Sequence, residues 1–105
     1  MKIKEGVILH GLKLEMRTVL INAEKLWKAF GQELVVTAGL DGTHSAGSLH
    51  YYGFALDFRT RYFSDKEKRN IKMLFSQKLS IDYQVISHPT HIHVEYQPKD
   101  KELWN

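Results

Sequence analysis

Between residues 54 and 59 the chain alternates: Phe54, Leu56 and Phe58 share one face of an extended segment, and Ala55, Asp57 and Arg59 share the other. A two-residue period of this kind requires a strand with one face packed inward and the other, carrying Asp57, looking out. Any fold for this chain must lay apolar structure against one side of that strand. The opposite side is left for polar chemistry.

The apolar partners are readable on either side of it. Residues 13–30 place Leu14, Met16, Leu20, Ile21, Ala23, Leu26, Trp27 and Phe30 at three-to-four spacing, which predicts an amphipathic helix ended by Gly31. Ser64-Asp65-Lys66-Glu67 has the form of a capping box for a second helix running to about Leu79, with Ile71, Leu74, Phe75 and Leu79 as its apolar stripe. Its basic run, KEKRNIK, reads as solvated surface. ELVVTAG predicts a short buried strand, LDGTHSAGS a loop, and YQVIS and HIHVEY two further strands separated by His88-Pro89-Thr90. In the charged tail Trp104 is the one strong anchor. The order helix, strand, strand, helix, strand, strand predicts an α+β domain with helices packed on a mainly antiparallel sheet.

One such domain accounts for residues 1–105, of which 43% are hydrophobic and 26% charged. Domains this small often supplement the core with metal, disulfides or oligomerisation, and with no cysteine both disulfides and thiolate zinc sites are excluded. Fifteen basic against twelve acidic residues give a net charge of +3, too mild to predict nucleic-acid binding, though it favours approach to an anionic polymer such as cell wall. The N-terminal MKIKEGVILHGLKLEM lacks an apolar run of signal-peptide length, and nowhere do about 18 apolar residues follow one another. The expectation is a chain made in the cytoplasm with no membrane insertion.

The chemistry concentrates in two windows. Of six histidines, His50 lies with Asp57 in the first, residues 48–57, and His88, His91 and His93 lie in the second, residues 88–93. On a strand, His91 and His93 share a face with their Cα atoms ~6.5–7 Å apart, so that one can ligate a metal while its neighbour handles protons. His50 precedes Asp57 by seven residues, with Gly53 between them to let the backbone turn. Two imidazoles and one carboxylate suit zinc and leave a fourth tetrahedral position for water, whose pKa the ion lowers to about 7. His91 is the candidate base, and His88 a second proton carrier or an oxyanion donor.

The stretch Ser48-Leu49-His50-Tyr51-Tyr52-Gly53-Phe54-Ala55-Leu56-Asp57 resembles the Ser-x-His-x-x-Gly-x-Ala-x-Asp motif of zinc D-alanyl-D-alanine carboxypeptidases and related murein endopeptidases. His91-Ile92-His93 resembles their His-x-His motif, and the helix and strand over residues 13–39 also look like this family. The resemblance implies a hedgehog/DD-peptidase fold, one zinc ion on His50, Asp57 and His93, and His91 as general base. The implied substrate is a peptide bond near D-amino acids in peptidoglycan. Short single-domain members look like phage or prophage lysis enzymes, which implies a separate holin-like protein to open the route to the wall.

Two positions depart from the pattern. Many relatives carry glutamate where His88 stands. Relatives also often carry an arginine just after the first strand, where this chain reads Leu40-Asp41-Gly42, and Arg59 is the candidate to replace it in binding substrate. Ser48 can orient a ligand through a hydrogen bond or simply cap a turn. Glu95 can accept from an imidazole N–H or sit in solvent, and Tyr51, Tyr52 and Tyr96 can line a groove or merely pack. His10 and His44 read as ordinary surface histidines. The competing function is a non-hydrolytic binding module, because the same resemblance includes hedgehog domains in which a comparable zinc site serves recognition.

Overall fold

The computed structural model describes residues 1–41 and 53–98. Ser48, His50, Tyr51, Tyr52, His44 and Trp104 lie outside the described residues, and so do the expectations that rest on them. The described elements run β1 (Lys2–Ile3), α1 (Glu15–Ala29), β2 (Val35–Ala38), β3 (Ala55–Arg59), α2 (Asp65–Lys78), β4 (Tyr83–Ser87) and β5 (His91–Tyr96). The strands form one sheet in the order β1-β2-β3-β5-β4. β1 pairs with β2 in parallel, and the other three pairings are antiparallel. This is the α+β architecture expected, with one short strand added at the edge.

Local chemistry explains where the helices begin and end. Ser64 accepts from the Glu67 backbone N–H at 3.1 Å while the Glu67 carboxylate accepts from the Ser64 N–H at 2.9 Å, so the expected capping box starts α2. At the far end of α1, Gly31 adopts φ 76°, its N–H reaches the Lys28 carbonyl and the Gln32 N–H reaches the Trp27 carbonyl. That paired arrangement satisfies two terminal carbonyls and needs a left-handed residue, which glycine supplies without a Cβ clash.

Both helices lie on one face of the sheet. Leu56 and Phe58 of β3, with Ile92 and Val94 of β5, join Met16, Val19, Ala23, Leu26 and Trp27 of α1 and Ile71 and Phe75 of α2 in one buried cluster. Trp27 is the hub, with its ring centroid 5.8 Å from Phe58, 5.8 Å from Phe63 and 6.1 Å from Phe75. Its indole N–H donates to the Arg59 carbonyl at 3.0 Å, tying the end of β3 to the core. Two positions of the expected α1 stripe are corrected: Leu14 is 67% exposed and Ile21 is 56% exposed. The face that packs runs through Met16, Val19, Ala23 and Leu26, and Ile21 sits five residues, about 140° of helix rotation, from Met16. Among the described residues no helix is long and apolar enough to cross a membrane.

Candidate functional site

The sheet face away from the helices carries the polar members of β3 and β5. Antiparallel register sets Asp57 directly opposite His93, Arg59 opposite His91, and Ala55 opposite Glu95. Period-two alternation therefore brings Asp57, Arg59, His91, His93 and Glu95 onto one surface. Beside it, β2 slips register between Val36, which faces Phe58, and Ala38, which faces Asp57. An irregularity of this kind twists a strand locally and re-aims the side chains next to it.

The middle of this face is largely covered, contrary to the expectation for the Asp57 side of β3, while His91 keeps 34% of its exposure. The Asp57 side chain keeps 14% of its exposure, His93 16% and Glu95 15%, and Ala55 is fully buried. Gly53 stands just ahead of β3. It adopts φ 78°, and a Cβ there would collide with the Gly11 carbonyl oxygen, so the residue meets both a left-handed turn and a close backbone approach. Its carbonyl accepts from the Lys13 N–H at 2.9 Å, fixing the segment that leads into β3.

At the centre, both ring nitrogens of His93 face carboxylates: Nδ1 lies 2.8 Å from Asp57 Oδ1 and Nε2 lies 3.0 Å from Glu95 Oε1. Burial opposes the charged form of this imidazole, but the hydrogen bond and charge of Asp57, reinforced by Glu95, outweigh it and raise the His93 pKa above its ordinary value. Both ring nitrogens therefore have a carboxylate oxygen within hydrogen-bond distance. Of the two roles left open for Glu95, meeting an imidazole or sitting in solvent, it takes the first.

His91 lies on the same surface, with Nε2 3.9 Å from Asp57 Oδ2 and Nδ1 3.3 Å from the Thr90 hydroxyl. Its ring stacks on His88 with centroids 4.6 Å apart and 21° between planes. Asp57 therefore turns one oxygen to each histidine of the His-x-His pair. His88 extends the row to the turn between β4 and β5, where it also lines a groove of about 560 Å³ with Lys68, Arg69 and Lys72 of α2.

A zinc ion bound by nitrogen and oxygen at ~2.0–2.1 Å in tetrahedral geometry sets its donors about 3.3 Å apart. Asp57 and His93 stand 2.8 Å apart and need open by only about 0.5 Å. Glu95 on the remaining nitrogen supplies the carboxylate that metal-bound histidines commonly carry behind them. Asp57 and His93 are thus two donors of a type zinc accepts, at a separation close to what it requires. Among the described residues no three of His, Cys, Asp and Glu form a group able to hold a metal, and the expected third ligand, His50, is outside them.

Arg59 sits where the sequence suggested, on the Asp57 face, and lines a cleft of about 270 Å³ with Asp57, His91, Lys4, Thr37, Thr90 and Arg61. Lys4 and Arg61 were missed. Arg61 continues the 57, 59, 61 alternation and was open to detection, whereas Lys4 reaches the cleft through the two-residue strand β1, which has no readable period. Asp41, just after the first of the strands expected from sequence, accepts from the Ile8 N–H at 2.9 Å and the Gly39 N–H at 2.8 Å and so organises a loop. Tyr96 packs, with its ring 5.8 Å from Phe54 and 5.1 Å from Tyr83. His10 is exposed on a turn. No protein-family model matches the chain, and comparison with curated proteins gives no significant match.

Proposed function

We propose that this chain is a zinc-dependent peptidase of the hedgehog/DD-peptidase type, hydrolysing a peptide bond in peptidoglycan. The observation that carries the reading is His93 set between two carboxylates, Asp57 at 2.8 Å and Glu95 at 3.0 Å, on a largely covered polar face. In this reading His93 and Asp57 hold the ion with His50, and Glu95 fixes the His93 ring and its tautomer. A zinc ion held there would supply Lewis-acid chemistry, polarising a carbonyl and lowering the pKa of water.

The protein's own groups do the rest. His91 takes the proton from the attacking water and passes it to the departing amine, its ring steadied by stacking on His88 and by the Thr90 hydroxyl. His88 serves as the second proton carrier or as a donor to the oxyanion. Arg59, its backbone tied to the core through Trp27, holds substrate along the cleft. In a lysis setting the chain would act on the wall after a separate protein had breached the membrane.

The test is incubation of the zinc-loaded protein with purified peptidoglycan and measurement of new amine termini. New amines are expected from the wild type, with a fall of about 100-fold or more in His91→Ala, the typical contribution of a general base. No product from a folded, zinc-loaded wild type would remove the hydrolytic reading and leave a binding module.

A further inference from the structure

Lys4, Arg59 and Arg61 reach the cleft from three separate stretches of chain: the residue after β1, the last residue of β3, and the loop beyond it. We infer that this cleft is a subsite for a carboxylate of the bound molecule, gripped by these three cations next to Asp57 and His91. The inference rests on the peptidase reading only for what carries the carboxylate.

Charge balance is the first support. Among the described residues none of the three cations lies within ion-pair distance of a carboxylate. Asp57, the one acidic residue lining the cleft among the described residues, is already engaged by His93. Three positive charges around one small volume repel one another and focus a positive potential there, and an anion relieves it. Guanidinium forks match the planar carboxylate in geometry as well as in sign.

Position and size are the second. Arg59 stands opposite His91 in register, its carbonyl held by Trp27, while the Lys4 backbone N–H is held by the Val36 carbonyl at 2.9 Å. Arg59 and Lys4 therefore stand on anchored backbone. At about 270 Å³ the cleft is below the usual range for a whole ligand of ~300–1,000 Å³ and suits the end of one residue. The carboxylate can be the free α-carboxylate of a terminal residue or a side-chain carboxylate beside the scissile bond.

The experiment titrates the zinc-loaded full chain, by NMR shift changes, with three probes. N-acetyl-D-alanine has an α-carboxylate, N-acetyl-D-alaninamide has no anion, and N-acetyl-D-isoglutamine has a side-chain carboxylate only. At least one acid is expected to bind about tenfold more tightly than the amide, with that preference lost in Arg61→Gln and in Lys4→Gln and regained in Arg61→Lys. Lys4 and Arg61 are exposed, and melting curves verify that the variants fold. Preference for N-acetyl-D-alanine supports a terminal carboxylate, and preference for N-acetyl-D-isoglutamine supports a side-chain one. Equal binding of all three probes, or an acid preference that survives both variants because the metal holds the acid, overturns the inference. Cation-dependent acid binding without any cleavage of peptidoglycan would end the peptidase reading while leaving the subsite in place.

Discussion

The two faces of β3 and β5 are built from the same eleven residues of backbone but solve opposite problems. Toward the helices, Leu56, Phe58, Ile92 and Val94 are almost wholly buried against Trp27, Ile71 and Phe75. That face gains stability from area removed from water, which depends little on pH or on ions. On the other face Asp57, His93 and Glu95 are nearly as well covered, yet they are ionisable. Burial there costs free energy unless a proton or a metal ion balances the charge. One face makes the fold and the other is held in place by it.

Phe58 separates the two faces most sharply. Phe58→Ala empties the centre of the aromatic cluster and is expected to lower unfolding free energy by ~3–5 kcal/mol in urea titrations. Zinc affinity of the molecules that remain folded is expected to stay near the wild-type value. A matching loss of affinity would mean that the two faces are not separable.

On the polar face, Glu95→Gln removes the charge behind His93 while keeping its shape. Zinc affinity is expected to weaken ~10–100-fold, read by competition with a chelator, with little change in metal-free stability beyond ~1 kcal/mol. An unchanged affinity would show that Glu95 only solvates the edge of the site.

A subtler contrast is the pH response. Because His93 holds its proton more tightly folded than unfolded, its contribution to metal-free stability is complete below the unfolded value near 6.5 and is lost as pH rises through the raised folded value. Zinc needs the bare nitrogen, so the stabilisation it adds grows as pH rises across the same interval. Melting temperatures with and without zinc should diverge as pH increases. Curves that stay parallel would place the metal away from His93.

The apolar face was largely legible from sequence because its periods are long and repeated. The capping box at Ser64, the stop at Gly31 and the alternation of Leu56 and Phe58 each rest on interactions within a few residues of one another. Leu14 and Ile21 were misplaced because hydrophobicity alone does not tell which side of a helix meets the sheet. β1 was not legible, since two residues carry no period, and with it went Lys4. The pairing of Asp57 with His93 depends on strand register across 36 positions of sequence, which tertiary packing sets. Motif spacing suggested that these residues belong together but left open whether Glu95 meets an imidazole or sits in solvent, which the register of β5 decides.

The central claim is that Asp57 and His93 hold a zinc ion, and direct metal analysis after zinc add-back and desalting tests it most simply. The wild type is expected to retain one zinc per chain, with retention lost in Asp57→Ala and in His93→Ala while circular dichroism shows both variants folded. A folded wild type that keeps no zinc, or variants that keep it as well as the wild type, would contradict the claim.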